Sequence, residues 1–176
     1  EAEALGGMAM STDDSKQAAA LLQAVPNGVQ AMSMEIHGLV QTSLNLGILA
    51  ADQTALTATF CVRSSLGSQK EMLHRRLRTL MAQLGGTVSI SGDYPAWEYR
   101  QDSSLRDLMT EVFQEQYGRK PKIEAIHAGV ECGILSGKLP GLDCVSIGPN
   151  LLDIHTPRER MEIASVQRVW RFVLEV

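Results

Sequence analysis

Apolar and polar residues alternate most regularly between residues 40 and 63. From Val40 to Ile48, every second residue is apolar except Thr42, and the residues between them are polar or glycine. The same two-residue period runs from Leu56 to Val62. Because successive side chains of a strand point to opposite faces, each run predicts a strand with one buried face. Ala51-Asp52-Gln53 has the composition of a short turn, so the two strands are predicted to form a β-hairpin.

Two stretches with helical spacing flank this hairpin. Residues 11–25 place apolar side chains at i, i+3, i+4 and i+7, and Pro26-Asn27-Gly28 ends the pattern. The second helix is predicted to begin at the capping box Ser68-x-x-Glu71 and to end at Gly85-Gly86. Its predicted apolar stripe consists of Met72, Leu73, Leu77, Leu80, Met81 and Leu84.

Two shorter runs, at residues 29–36 and 87–91, predict further strands. The order helix, strand, hairpin, helix, strand is an α+β pattern, in which an antiparallel sheet carries helices on one face. We therefore predict that architecture for residues 1–100.

The pattern changes after Tyr94-Pro95-Ala96-Trp97. An amphipathic helix is predicted over residues 104–117, followed by a strand at 122–126, a short helix at 132–136, a strand at 144–147 and a final helix at 163–174. Helices that alternate with short apolar strands indicate an α/β layer with a largely parallel sheet. We predict a boundary near Arg100 and a second domain over residues 101–176.

Composition narrows the classes of function. The chain has 176 residues, 44% of them hydrophobic, and a net charge of −4, so no basic face for nucleic acid is indicated. No apolar run approaches the roughly 20 residues of a membrane span. The cysteines Cys61, Cys132 and Cys144 lack C-x-x-C spacing, which predicts a reducing, cytoplasmic location.

Two histidine-containing stretches near the C-terminus are the most informative motifs. The first is Ile126-His127-Ala128-Gly129-Val130-Glu131-Cys132-Gly133. The second combines Val145-Ser146-Ile147-Gly148-Pro149 with Asp153-Ile154-His155-Thr156-Pro157-Arg158-Glu159. Each is a strand-like run that opens into a loop, where sites are usually built, and imidazole is the commonest metal ligand.

Together with Thr42-Ser43-Leu44-Asn45-Leu46-Gly47 and Asp93-Tyr94-Pro95-Ala96-Trp97, these stretches resemble the C-terminal part of Xaa-His dipeptidases. Those enzymes are part of a zinc-dependent superfamily of dipeptidases, aminoacylases and carboxypeptidases. The resemblance covers the chain from about Leu21 to its end. It implies hydrolysis of Xaa-His dipeptides by metal-activated water.

The resemblance also implies a domain organisation. Residues 1–100 would be the C-terminal half of a lid domain through which these enzymes form homodimers, and residues 101–176 the C-terminal part of the catalytic domain. Such enzymes are longer, and their N-terminal half holds most zinc ligands and the glutamate that acts as general base. Since the chain opens at Glu1 without a methionine, we expect a C-terminal piece that is inactive alone.

His155 matches the last ligand of the two-zinc site in these dipeptidases. Spacing alone supports a second interpretation, because Thr156-Pro157-Arg158-Glu159 has the composition of a capped helix start. The two interpretations are compatible, since a capped turn holds a ligand still. Glu159 is expected to cap this helix or to orient the imidazole.

The glycine-rich turn matches the substrate-binding part of the cleft, with Gly129 and Glu131 as binding residues. Many superfamily members have Ser or Thr followed by Asp there, whereas this chain has Val130 and Glu131. Glu131 is expected either to contact a basic group of the substrate or to lie near a helix N-terminus. His127 and Glu131 are four residues apart, but Gly129 between them argues against a helical metal pair.

Arg63 and Asn45 are the candidate residues of the hairpin. By resemblance, Arg63 grips the substrate carboxylate in its own subunit, whereas Asn45 contributes to the site of the neighbouring subunit. The predicted turn puts the two residues about six positions, or roughly 20 Å, apart along the hairpin. The alternatives are a solvated strand-end charge for Arg63 and an ordinary polar residue for Asn45.

Four other residues are interpreted structurally. His37 precedes a glycine at a strand start, His74 is predicted on a solvated helix face beside Arg75, and Trp97 and Trp170 are predicted to pack.

Two other functions remain open. One is a dimerisation or binding module without catalytic activity. The other is a cysteine hydrolase with Cys132 as nucleophile at a helix N-terminus.

Overall fold

The computed structural model describes residues 9–126 and 131–176. Their backbone divides into two compact units, with the division after Glu98. The first unit comprises residues 9–98 and Ile126, and the second comprises residues 99–125 and 131–176. No helix among these residues combines the length and the apolar character needed to cross a membrane.

The first unit contains a three-stranded antiparallel sheet in the order β1-β2-β3, with β1 at Gly28–Met32, β2 at Val40–Ala51 and β3 at Leu56–Ser64. The predicted hairpin is therefore confirmed. Its loop is closed by Asp52, whose carboxylate accepts hydrogen bonds from Thr54 and from the Ala55 N–H at 2.9 Å. These bonds, that of the Thr54 N–H first, lower the pKa of Asp52.

A β-bulge at Gly47 changes which side chains of β2 are buried. Leu46 pairs with Phe60, but the next pair is Ile48 with Thr59, so one extra residue lies on β2. A single inserted residue turns the following side chains to the other face. Ile48 is consequently 61% exposed, which corrects the prediction that it continues the buried face.

The core of the first unit lies between the sheet and helix α2, which spans Gly67–Gln83. Its buried centre is formed by Leu44, Leu73 and Leu77. Helix α1, at Thr12–Ala24, contributes the buried Leu21. The partly buried residues packed against the centre are Val25, Phe60, Val62 and Val88.

The two ends of α2 follow different physical rules. The predicted capping box is wrong, because the helix begins one residue before Ser68 and its N-cap, Leu66, makes no side-chain hydrogen bond. The predicted C-terminal stop is confirmed. Gly85 has φ 72°, a left-handed conformation that glycine tolerates, and the Gly86 N–H donates to the Met81 carbonyl at 2.8 Å.

Two side chains of α2 lie opposite to the prediction. His74 is buried rather than solvated, and its Nδ1 lies 3.7 Å from the Glu71 carboxylate. Met72, predicted to face the core, is exposed. The arginines beside His74 had suggested a charged face, but burial is decided by the rotation of the helix on the sheet, which Leu73 and Leu77 fix.

The segment after α2 is held by side chains rather than by a strand ladder. No strand forms at residues 87–91 among the described residues, although Val88 still packs on the core. The Lys70 ammonium, 15% exposed as a side chain, lies 2.5 Å from the Asp93 carboxylate and also donates to the Tyr94 carbonyl. Its hydrogen bond lowers the pKa of Asp93.

The second unit begins with helix α3 at Ser104–Tyr117, as predicted. The hydroxyl of its N-cap, Ser103, accepts an N–H of the first turn, and Gly118 ends the helix at φ 66°. The Asp143 carboxylate accepts from the Ser103 hydroxyl at 2.8 Å and from the Leu105 N–H at 3.1 Å. These bonds, the backbone N–H first, lower the pKa of Asp143.

The remaining elements of the second unit are helix α4 at Glu131–Lys138, strands β4 at Leu151–Leu152 and β5 at Arg160–Met161, and helix α5 at Ile163–Glu175. The two strands form a small antiparallel sheet. Phe113 of α3 meets Phe172 of α5 edge-on, with ring centroids 5.9 Å apart.

The strands predicted at residues 122–126 and 144–147 do not form among the described residues. The expected class is nonetheless confirmed: an antiparallel sheet with helices, followed by a unit of helices and a second small sheet. Trp170, predicted to pack, is 62% exposed, whereas Trp97 is half-buried. The exposed apolar side chains of α5 also include Ile163, Val166, Val173 and Leu174.

We expect Lys70→Met to destabilise the first unit by about 1–2 kcal/mol, because it leaves the Asp93 carboxylate and the Tyr94 carbonyl without their charged donor. Urea unfolding followed by Trp97 fluorescence in a Trp170→Phe background reports on this unit alone. The control is Lys16→Met, whose exposed ion pair with Asp13 should contribute nothing measurable.

The loss of stability in Lys70→Met should depend on pH. A carboxyl whose folded-state pKa is depressed stabilises the fold above its ordinary value, here 3.8, and that stability is lost as the pH falls through the folded-state pKa. The stability difference between wild type and Lys70→Met should therefore shrink below about pH 4. A difference that stays constant down to pH 2 would show that the ion pair is not responsible.

Candidate functional site

The first candidate site is the loop between β4 and β5, which carries His155. The base of this hairpin is tied to the start of α5. The Asn150 N–H donates to the buried Ser165 hydroxyl at 2.9 Å, and the Asn150 amide donates to the Glu162 carboxylate at 2.7 Å. Arg168 donates to the other oxygen of Glu162 at 2.9 Å. These two side-chain bonds lower the pKa of Glu162, so the hairpin is anchored by an ionised carboxylate.

The loop itself consists of two consecutive turns. The Thr156 N–H donates to the Asp153 carbonyl at 3.2 Å, and the Glu159 N–H donates to the Thr156 carbonyl at 3.0 Å. Asp153 and His155 have φ values of 53° and 64°, and they are the non-glycine residues with positive φ in the described part of the chain. Such conformations are costly for residues with a Cβ and cluster at functional sites.

Residues 156–159 form a turn, so the prediction of a helix start there is wrong. Pro157 occupies the first central position of that turn, for which its fixed φ is suited. The Glu159 carboxylate accepts the His155 N–H at 2.8 Å. Glu159 therefore fixes the backbone of His155 instead of capping a helix, and the exposed imidazole makes no hydrogen bond or ion pair with the described residues.

The metal-binding capacity of the described residues is limited. Within residues 9–126 and 131–176, no three His, Cys, Asp or Glu side chains converge closely enough to hold an ion. Catalytic zinc usually has three protein ligands. An exposed imidazole on an anchored backbone fits one ligand of such a site, and the described residues do not supply the others.

Only part of the glycine-rich turn is described. His127 and Gly129 lie outside the described residues. Glu131 is exposed at the first position of α4, where a carboxylate interacts favourably with the helix N-terminus. This position is compatible with both expectations for Glu131, contact with a basic group of the substrate and a place at a helix N-terminus.

Cys132 has the electrostatics of an unreactive thiol. Burial raises the pKa of Cys132, and the neighbouring Cys144 and Glu131 raise it further. A nucleophilic cysteine needs a lowered pKa and a positive environment. The geometry therefore argues against a cysteine hydrolase.

The second candidate site is the exposed face of the β2–β3 hairpin. Asn45 pairs with Cys61, and Ser43 pairs with Arg63. Directly opposite residues share a face, so Asn45 and Arg63 are diagonal neighbours, about 7–8 Å apart. The predicted separation of roughly 20 Å is wrong, because the loop lies at residues 52–55, later than assumed, and this register pairs Asn45 with Cys61, two residues before Arg63.

Sequence reasoning missed the anchor of the His155 hairpin. Asn150, Glu162 and Ser165 come together because the hairpin closes on α5, and no spacing rule predicts that contact. The one available signal was Glu162 immediately before a strongly amphipathic helix, which suggests an N-terminal role but no partner.

Comparisons with known proteins agree with the resemblance found in the sequence. No protein-family model matches the chain. Over 156 residues the chain is 35% identical to the cytosol non-specific dipeptidase of Escherichia coli K12, an alignment that covers 89% of this chain and 32% of that protein. The crystal structure of aminoacylhistidine dipeptidase from Vibrio alginolyticus is similar with a TM-score of 0.87 and 33% identity, over 98% of this chain and 35% of that one.

A more distant structure, an aminopeptidase from Bacillus cereus, has a TM-score of 0.65 at 18% identity, over 92% of this chain and 43% of that one, and shares the fold alone. The chain thus spans about a third of the length of the dipeptidases that it matches. The resemblance to this group of dipeptidases is confirmed for the part of their length that the chain covers.

We expect Glu159→Ala to speed hydrogen exchange of the His155 N–H by about tenfold, because the amide loses a charge-assisted acceptor in an exposed loop. Exchange measured by NMR tests this directly. Glu159→Gln keeps an acceptor and should fall between the two. Arg158→Ala changes a side chain without a described bond and should leave the rate unchanged; equal rates in all four proteins would contradict the assigned contact.

We expect Cys61 and Cys132 to be alkylated at different rates at pH 7. Cys61 is exposed and should react first, whereas Cys132 should react slowly because its pKa is raised. Peptide mass mapping after a short iodoacetamide pulse separates the sites. Faster labelling of Cys132 than of Cys61 would restore the cysteine-hydrolase hypothesis.

Proposed function

We propose that the chain is part of a metal-dependent dipeptidase that hydrolyses peptides of the Xaa-His type with metal-activated water. The observation that carries the proposal is the similarity to two dipeptidases along almost the whole chain. Because the chain spans about a third of each, the activity and substrates of the whole protein are part of the proposal. The name of the Escherichia coli relative supports a cytoplasmic location.

His155 is proposed to hold one zinc ion of a two-zinc site. Three features support this role: its ring is exposed, its backbone is anchored by Glu159, and its positive φ is maintained against the preference of the residue. Bound zinc ions would polarise the scissile carbonyl and activate the attacking water. The other ligands and the general base are proposed to lie outside the described residues.

Arg63 is proposed to hold the terminal carboxylate of the peptide. Its planar guanidinium can donate two parallel hydrogen bonds to one carboxylate. The side chain is exposed and makes no hydrogen bond or ion pair with the described residues, so it is available to a ligand. Glu131 is proposed to contact a basic group of the substrate, such as the imidazole of Xaa-His or the terminal amine, and Gly129 is proposed as a second substrate-binding residue.

The chain alone is proposed to lack activity, because one histidine cannot hold catalytic zinc tightly. We also propose a homodimer formed through residues 1–100. A dimerisation or binding module without catalysis is not favoured, since the relatives found are named as peptidases.

We expect His155→Ala in the complete gene product to lose one of two bound zinc ions. The turnover of a dipeptide such as glycylhistidine should fall by at least about 100-fold, since even the loss of a residue that supports a metal ligand costs 10–100-fold. Metal content by mass spectrometry and initial rates are measured on the same preparation. His37→Ala, an exposed histidine on a turn, is the matched control.

Full zinc content and full activity in His155→Ala would remove the metal role. A wild-type gene product that hydrolyses no dipeptide with added zinc would remove the dipeptidase itself. Hydrolysis of other dipeptides at rates equal to those of Xaa-His peptides would keep the dipeptidase and overturn the narrower specificity.

A further inference from the structure

Two of the three cysteines of the chain are neighbours in the second unit. Cys132 is the second residue of helix α4 and Ser136 follows one turn later, so their side chains share a face of the helix. The Ser136 hydroxyl donates to the Cys144 sulfur at 3.7 Å, and the Cys132 thiol is in electrostatic and hydrogen-bonding contact with Cys144. Both thiols are free and partly buried, and they lie on the same face of α4.

A chain reversal between the two cysteines brings them together. After α4, the Leu142 N–H donates to the Leu139 carbonyl at 3.1 Å, which closes a turn. Gly141 in that turn has φ 86°, a conformation that glycine tolerates. A disulfide needs cysteine side chains that approach each other, and the reversal returns Cys144 to the side of the helix that carries Cys132.

The two cysteines are held with unequal strength. Cys144 follows Asp143, whose carboxylate accepts two hydrogen bonds from the start of α3. Helix α4 has only eight residues and contains two glycines, each of which weakens a helix by about 1 kcal/mol relative to alanine. A disulfide holds its sulfurs about 2 Å apart, closer than two unbonded thiols approach. The movement that closes this bond should therefore fall on the first turn of α4, which carries Cys132 and Glu131.

We propose that Cys132 and Cys144 form a reversible disulfide when the protein meets a small-molecule disulfide such as oxidised glutathione, and that this bond displaces Glu131 and lowers peptide hydrolysis. The effect on hydrolysis rests on the proposed function, in which Glu131 contacts a basic group of the substrate. In a reducing compartment the pair stays as two thiols, and an oxidising glutathione pool closes it.

The exchange is balanced by glutathione. The Cys144 thiolate attacks one sulfur of oxidised glutathione, which forms a mixed disulfide and releases one glutathione thiolate. The Cys132 thiolate then attacks the Cys144 sulfur, which forms the internal bond and releases the second glutathione. Two protein thiols are oxidised, one glutathione disulfide is reduced, and the two thiol protons pass to the released glutathione thiolates.

The electrostatics of Cys132 fit the second step better than the first. Burial raises the pKa of Cys132, so its thiolate fraction is too small for efficient attack on a molecule from solution. Its target in the second step is already adjacent, and an intramolecular step has a high effective concentration. The product is an uncharged disulfide, which burial does not penalise as it penalises a thiolate.

The first test maps peptides of the complete gene product by mass. Trypsin cleaves after Lys122, Lys138 and Arg158, so it places the two cysteines in peptides 123–138 and 139–158. Incubation with oxidised glutathione and digestion without reductant should yield these two peptides joined. At micromolar protein the joined pair should exceed any pair that contains Cys61 by at least about tenfold, because adjacent thiols have a millimolar effective concentration.

Matched variants identify the bond. Cys132→Ser and Cys144→Ser should yield no joined peptides, and the corresponding alanine variants repeat the test if a serine variant does not fold. Cys61→Ser, which removes the exposed thiol of the first unit, is the control and should form the joined pair as wild type does. Absence of the joined pair from wild type at a large excess of oxidised glutathione would overturn the inference.

The second test measures activity before and after oxidation. Oxidised wild type should hydrolyse glycylhistidine with kcat/KM lowered by about 10- to 100-fold, since a displacement of roughly 1 Å in a site can cost that much, and dithiothreitol should restore it. Cys144→Ser should begin with wild-type activity and keep it under oxidation. An equal fall in Cys144→Ser would assign the loss to another thiol and overturn control by this pair.

The two readouts separate the inference from the proposed function. Joined peptides in a gene product that hydrolyses no dipeptide before oxidation would keep the disulfide and remove the dipeptidase. Hydrolysis that is unchanged after complete formation of the joined pair would keep the dipeptidase and overturn the control of its activity by the disulfide.

Discussion

The pairing of β2 with β3 determines most of what the first unit can do. One register sets Leu44, Phe60 and Val62 against α2, and the same register sets Asn45 beside Arg63 on the opposite face. A slip by one residue would exchange the two faces. The apolar core and the placement of Asn45 beside Arg63 are thus two consequences of one ladder of hydrogen bonds.

The His155 loop is stabilised by hydrogen bonds rather than by an apolar core. It has almost no apolar burial, so its conformation is held by hydrogen bonds that involve both backbone and side-chain groups. Glu159 accepts the His155 N–H, and Glu162 and Ser165 hold Asn150 at the base of the hairpin. These contacts offset the cost of positive φ at Asp153 and His155. A loop built in this way can keep an imidazole exposed on a fixed backbone.

Local rules predicted several elements whose stabilising contacts are close in sequence, although the capping box at Ser68 and the helix start at Thr156 were wrong. The start of α1, the limits of α3, the stop at Gly85-Gly86 and the β2–β3 hairpin follow from caps, glycine conformations and two-residue alternation. The predictions failed where the contact is distant. The bulge at Gly47 depends on the partner strand, the burial of His74 depends on how α2 sits on the sheet, and the strands expected at residues 122–126 and 144–147 need neighbours to pair with.

The candidate residues differ from Lys70, Asp143 and Glu162 in one respect. Lys70, Asp143 and Glu162 are saturated by partners within their own unit, and each thereby stabilises the fold. The imidazole of His155 and the guanidinium of Arg63 have no such partner among the described residues, although their backbones are firmly held. A side chain that is hydrogen-bonded within its own protein must break that bond before it can bind a ligand. An unpaired side chain on a fixed backbone has no such bond to break. The geometry is therefore compatible with the roles proposed for both side chains, since the fold positions them and leaves their binding capacity unused.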